Sequence, residues 1–184
     1  DIGQLKVDAN LNESQIGFKD ILIFAPQLAA TNPFKSNANG ILKIDGKING
    51  KVSNINIPNL EISGIGNTKL AASGTILGLP DAKKAYFNMN IRNFESTAQD
   101  IYSFVPKNTI PNTIQLPTQL ATRGTFKGTV SDFFTNMNLT SSFGNATVKA
   151  NFNQQRKDHE IYDASTNFTN FDLGKLLKNP TLGK

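Results

Sequence analysis

Catalysis needs side chains that exchange a proton, hold a metal or attack a bond, and this chain carries few of them. Its 184 residues include one histidine, no cysteine and 14 carboxylates. His159 lies in Gln154-Gln155-Arg156-Lys157-Asp158-His159-Glu160, a polar run between two strand-like patterns. A metal or general-base role would need partners of fixed geometry, and this run reads instead as a solvated hairpin turn. Asp158 and Glu160 belong to the same turn, and Asp81 follows the turn signal Gly78-Leu79-Pro80. No carboxylate pair is flanked by the apolar residues that raise a carboxyl pKa, although a pair assembled from distant strands stays open at this level.

The remaining motifs fall away on context. Without cysteine there is no disulfide, zinc ribbon or thiol nucleophile. Gly64-Ile65-Gly66 lacks the third glycine, the Lys-Ser/Thr and the following helix of a phosphate loop. Gly124 and Gly128 have the spacing of a membrane-helix dimer motif but sit in a polar, strand-like run. Asn-x-Ser/Thr triplets at Asn12, Asn138, Asn145 and Asn167 are expected by chance where asparagine and threonine are so abundant. The expectation is a protein that is not an enzyme, with no cofactor and no metal.

Composition points to strands and turns. There are 23 asparagines, about one residue in eight, and asparagine suits turns, strand ends and left-handed positions. Apolar residues make up 38%, enough to build a buried surface. The net charge is +5, and Lys43, Lys47 and Lys51 share one face of a strand opposite Leu42, Ile44, Ile48 and Val52. Without interleaved exposed aromatics they read as a solvated face, and no nucleic-acid partner is expected. No run of 18 apolar residues or signal peptide is present, and the chain begins at Asp1, so it reads as an excised or processed piece.

Period-two alternation runs through most of the chain. It appears in Leu5, Val7, Ala9 and Leu11, then Leu42, Ile44, Ile48 and Val52, with Gly46 and Gly50 in the apolar phase. At Ser53-Asn54 the phase slips, predicting a bulge or turn before Ile55 and Ile57. Leu70, Ala72, Gly74 and Ile76 alternate again, as do Phe87, Met89 and Ile91. Asn39-Gly40, Asp45-Gly46 and Asn49-Gly50 are turn-prone pairs, although the last lies inside a strong strand pattern.

Shifted by 78 positions, residues 42–72 match residues 120–150 without a gap at eight of 31 columns. The identities include Gly46/Gly124, Gly50/Gly128, Val52/Val130 and Gly66/Gly144, and Ile48/Phe126, Ile65/Phe143 and Leu70/Val148 stay apolar. The two copies also end alike. Asn93-Phe94 precedes a short amphipathic helix with Ala98, Ile101, Tyr102 and Val105 on one face, and Asn170-Phe171 precedes Leu173, Leu176 and Leu177. Ser96 and Asp172 are the expected N-caps, with Pro106 and Pro180 as stops. The predicted organisation is residues 1–40 as the tail of a preceding unit and connector, 41–106 as a first β unit with terminal helix, 107–119 as a proline-rich linker, and 120–184 as a second β unit with terminal helix.

From about Phe18 onward the chain resembles the TamB branch of the AsmA-like envelope proteins, in the form found in Bacteroidetes. The resemblance rests on Phe24-Ala25-Pro26, Gly74-Thr75-Ile76-Leu77-Gly78-Leu79-Pro80-Asp81 and Ser96-Thr97-Ala98-Gln99-Asp100-Ile101. It continues through Ile110-Pro111, Leu116-Pro117, Gly124-Thr125-Phe126-Lys127-Gly128, Ser142-Phe143-Gly144-Asn145 and Leu173-Gly174-Lys175-Leu176-Leu177. These motifs are short, and their order and spacing carry the likeness. It implies an internal fragment of a periplasmic protein anchored in the inner membrane by a helix outside this sequence. The implied fold is a mainly β, strongly curved, elongated sheet, rich in antiparallel pairs, that forms a groove. The implied function is phospholipid transport between the inner and outer membranes, linked to outer-membrane biogenesis, with an outer-membrane barrel of the Omp85 type as a partner.

A curved sheet with one apolar face gives the alternation seen here, and such a face would take up acyl chains at about 0.8 kcal/mol per buried methylene. The candidate lipid-facing residues are Leu42, Ile44, Ile48, Val52, Leu70, Ile76, Phe87, Met89, Ile91, Phe126, Val130, Met137, Leu139, Phe143, Val148 and Phe152. The alternation fits equally a structural spacer or adhesion module with a closed apolar core, or a closed β-barrel holding one small apolar ligand.

Overall fold

The structure, a computed structural model, describes residues 2–24, 26–81, 83–105, 108, 110–154 and 161–183. His159, with Asp158 and Glu160, lies outside the described residues, as do Ala25 and Pro106. Nine strands follow one another along the chain: β1 (Lys6–Gly17), β2 (Ile41–Lys51), β3 (Asn54–Ile65), β4 (Thr68–Leu77), β5 (Tyr86–Thr97), β6 (Gln119–Gly128), β7 (Asp132–Ser141), β8 (Gly144–Asn153) and β9 (Ile161–Thr169). Three short helices, α1 (Phe18–Phe24), α2 (Ala98–Phe104) and α3 (Leu173–Leu176), follow β1, β5 and β9.

All nine strands form one sheet whose spatial order is the chain order, and every neighbouring pair is antiparallel. The sheet does not close: among the described strands β1 pairs only with β2, and β9 only with β8. The mainly β, antiparallel expectation therefore holds, and among the described residues the sheet is open rather than closed into a barrel.

Local sequence explains the connections. Antiparallel neighbours need only two residues to turn, and Val52-Ser53, Gly66-Asn67 and Ser142-Phe143 supply three such turns. The phase slip expected at Ser53-Asn54 is thus the β2–β3 turn. Asp45-Gly46 and Asn49-Gly50, by contrast, run straight through β2. Their glycines adopt φ +150 and +117 rather than the left-handed values of a hairpin turn. The in-phase Leu42, Ile44 and Ile48 hold the strand extended past both pairs.

Because direction alternates, β1, β3, β5, β7 and β9 all end on the same side of the sheet, and so do the three helices. The described residues of the two long connections, from β1 to β2 and from β5 to β6, join the strands there too. On the opposite side the described link residues are 52–53, 78–81, 83–85 and 129–131.

Burial concentrates at the helix end. Phe18, at the start of α1, is fully buried against the ring of Phe34, 4.6 Å away, and beneath Gly40. Phe143, Ala146 and Phe171 form a second cluster, with Leu139 and the α3 residues Leu173 and Leu176 packed on it. Thr97 caps α2 by accepting from the Asp100 amide at 3.2 Å. This displaces Ser96, expected as the cap. Ser96 is still in β5, is buried, and shares a 2.8 Å hydrogen bond with the Thr68 hydroxyl. Asp172 caps α3 as expected, accepting from the Lys175 amide at 2.9 Å.

Candidate functional site

Residues opposite one another in an antiparallel pair share a face, so the register sorts every strand side chain. One row runs unbroken across the sheet through Val7, Gly50, Ile55, Ile76, Phe87, Gly128, Phe133, Phe152 and Tyr162. A second runs through Leu11, Gly46, Leu60, Ala72, Ile91, Gly124, Met137, Val148 and Thr166. Nearer the helices a third passes Ser14, Ile44, Ile62, Leu70, Phe94, Thr122, Leu139, Ala146 and Phe168. All three lie on one face, which is largely apolar across its width, with Ser14, Thr122 and Thr166 as its polar members in these rows. At about 4.8 Å per strand the nine strands span roughly 38 Å.

Of the sixteen residues expected to line an apolar surface, thirteen take strand positions on this face and are half-buried: Leu42, Ile44, Ile48, Leu70, Ile76, Phe87, Met89, Ile91, Phe126, Met137, Leu139, Val148 and Phe152. The other three lie in turns. Val52 follows β2, its amide bonded to the Leu5 carbonyl at 2.9 Å. Val130, its duplicate, follows β6 and is 58% exposed. Phe143 occupies the β7–β8 turn and is buried against Phe171, with ring centroids 6.4 Å apart. The alternation correctly assigns the phase of these residues but not where each strand stops.

Half-burial of the thirteen has a simple source. Side chains on the face shield one another laterally, and among the described residues there is only this one sheet, so no second sheet lies over them. The face is not uniform. Ring centroids are 6.4 Å apart from Phe87 to Phe126, 5.0 Å from Phe126 to Phe133, 5.1 Å from Phe133 to Phe152 and 5.1 Å from Phe152 to Tyr162. These five rings make an aromatic strip across β5–β9, at the end away from the helices. Gly128, between Phe87 and Phe133 in the row, leaves the gap over which neighbouring rings spread. Phe133 and Tyr162 were missing from the sequence-derived set; at Phe133 the Phe133-Phe134 doublet puts one ring on each face and leaves the parity ambiguous.

Two of the three glycine pairs at the 78-residue offset share a backbone as well as a letter, while Gly66 and Gly144, at φ +57 and +126, do not. Gly46 and Gly124 have φ +150 and +153, and Gly50 and Gly128 have +117 and +132. A Cβ on Gly46 would strike the Asn59 carbonyl oxygen, and one on Gly124 the Asn136 carbonyl oxygen. In both copies the next strand therefore lies too close for any side chain.

The opposite face is polar. It carries exposed Lys43, Lys47 and Lys51, an Asn56–Asn49 side-chain hydrogen bond of 3.1 Å, and Arg92 bonded to Asn59 and 3.6 Å from Glu61. An open depression of about 620 Å³ on this side is lined chiefly by polar-face side chains, among them Glu13, Lys43, Asp45, Glu61 and Lys69. Among the described residues the carboxylates named in the sequence reading serve local structure. Asp81 accepts from the Lys83 amide in its turn, as expected. Asp100, the buried one, accepts from the Asn67 amide at 2.9 Å and tethers α2 to the β3–β4 turn. Gly64-Ile65-Gly66 thus leads into an amide that binds the chain's own carboxylate. Among the described residues no three histidines, carboxylates or cysteines come together as a metal site, and no helix is long and apolar enough to cross a membrane. Comparison with family models, curated proteins and solved structures gives no match.

Proposed function

We propose that this chain is a non-catalytic segment of a periplasm-spanning envelope protein whose apolar sheet face carries phospholipid acyl chains between two membranes. The observation that supports this most is a face that is largely apolar across the nine strands and most of whose large side chains are only half-buried. An exposed apolar area of this extent marks a surface that meets something apolar, and acyl chains need contact area rather than a fixed polar site. The TamB-like motif order supplies the compartment, the inner-membrane anchorage of the parent and the outer-membrane barrel as partner. In this reading the sheet curves into a groove, and β2–β5 with α2 and β6–β9 with α3 are two copies of one unit. The matching φ values of two of the three duplicated glycine pairs, Gly46/Gly124 and Gly50/Gly128, favour the duplication, while Gly66 and Gly144 differ at +57 and +126.

The test is mass spectrometry of the purified protein for co-purified phospholipid, with photo-crosslinking side chains at Ile44 and Phe126. Lipid adducts at both positions, and none from a control at the polar-face Asn88, are expected. Lipid-free protein with no adduct at either position would overturn the proposal in favour of a spacer or adhesion module.

A further inference from the structure

The polar face is not charged alike in the two copies. On β2, Asp45 lies between Lys43 and Lys47 and faces Glu61, which in turn holds Arg92 at 3.6 Å. Cations and carboxylates are thus interleaved there. At the 78-residue offset Asp45 and Asn49 are matched by Arg123 and Lys127. With Lys149 on β8 these make three exposed cations on β6–β8, none of them in an ion pair with a described residue. Glu95 faces Ala121, Asp132 faces Asn153 and Asp163 faces Asn151, so carboxylates border this patch without entering it.

Thr125, Asn136 and Lys149 share one row, with Lys127, Phe134 and Asn151 on one side of it and Arg123, Asn138 and Thr147 on the other. At about 4.8 Å per strand and 3.4 Å per residue the three cations stand roughly 12–14 Å apart. They are too far apart to converge on one phosphate or carboxylate, so a matching ligand carries its charges along a chain. Between them lie amides and hydroxyls, which both donate and accept. Thr147 donates to the Asn138 side-chain oxygen at 3.0 Å, fixing that amide and leaving its NH2 group to donate. Phe134, 46% exposed, is the one ring among these positions.

We propose that the polar face of β6–β8 binds an acidic polysaccharide. Arg123, Lys127 and Lys149 meet its carboxylates, the asparagines its hydroxyls, and the Phe134 ring the C–H face of one sugar. A single-stranded nucleic acid calls for successive rings under successive bases, and this patch has one. The patch lies across the sheet from the acyl-binding face and between β5 and β9, so it stands whether or not the other face carries lipid.

Isothermal titration with a soluble polyuronate should show binding that weakens as salt rises, and neutral dextran should not bind. Arg123→Gln/Lys127→Gln/Lys149→Gln lowers the affinity about tenfold or more and flattens the salt dependence. Lys43→Gln/Lys47→Gln, on the interleaved face, leaves the affinity within about twofold. Phe134→Ala lowers it about tenfold with the salt dependence kept, and Phe134→Tyr retains it, so misfolding cannot mimic the effect. Absence of polyuronate binding, an equal loss from the Lys43 and Lys47 pair, an affinity indifferent to Phe134→Ala, or tighter binding of oligothymidylate or polyglutamate would each overturn the assignment.

Discussion

A methyl group added at Gly124 has nowhere to go. The neighbouring carbonyl of Asn136 occupies its place, and φ +153 is a conformation that L side chains rarely adopt. Gly124→Ala should therefore cost about 2 kcal/mol or more in urea denaturation, and Gly46→Ala should behave alike. Gly183→Ala, with nothing within 4 Å of the new carbon, should leave the midpoint unchanged. Asp100 is the other residue whose environment sets its role. Removing its carboxylate frees the Asn67 amide and loosens α2 from the β3–β4 turn, so Asp100→Ala should cost about 1–3 kcal/mol. Hydrogen exchange should rise first at Asn67. Sequence could reveal that Gly124 repeats Gly46, because identity at a fixed offset is visible in one dimension. It could not reveal Asp100, whose partner lies 33 positions away and whose neighbours look like an ordinary helix start.

The strands were legible because alternation is a local property. Leu70, Ala72, Gly74 and Ile76 announce β4 without help from the rest of the chain. Strand ends were harder to read. Val52 and Val130 keep the apolar phase one or two residues past their strands, and only the turns show that they have left the sheet. The Ser96-to-Thr97 shift of the α2 cap has a similar cause. Two adjacent hydroxyls both suit a cap, and the one that pairs with Thr68 is decided across the sheet. Phe143 and Phe171 show the limit most clearly, since 28 residues separate two rings that form one cluster. That cluster anchors α3, and Phe171→Ala should cost about 3–5 kcal/mol if the site does not collapse. Amide exchange in residues 173–176 should accelerate in the same variant, while β2 and β3 keep their protection.

Over the whole molecule, an open face and a sealed core differ in how they receive a charge. Val148, in the second row at the middle of β8, is half-buried by its neighbours on the sheet. On an open face the long side chain of Val148→Lys can lift its ammonium into water, and the expected loss is about 1 kcal/mol. Under a second layer the same change would bury an unpaired charge, and the protein would lose most of its stability. Thermal unfolding of this variant separates the two, and its lipid content should fall even though the fold survives. The helices follow β1, β5 and β9, so four strands separate each from the next. Four is even. An antiparallel chain that crosses an even number of times returns to the margin it left, so every helix stands on the same margin. Three or five crossings would have thrown successive helices to opposite margins. Among the described residues the strand count alone thus gives the sheet one border that carries the α-helices and one that does not, and any further four-strand segment would lengthen both without exchanging them.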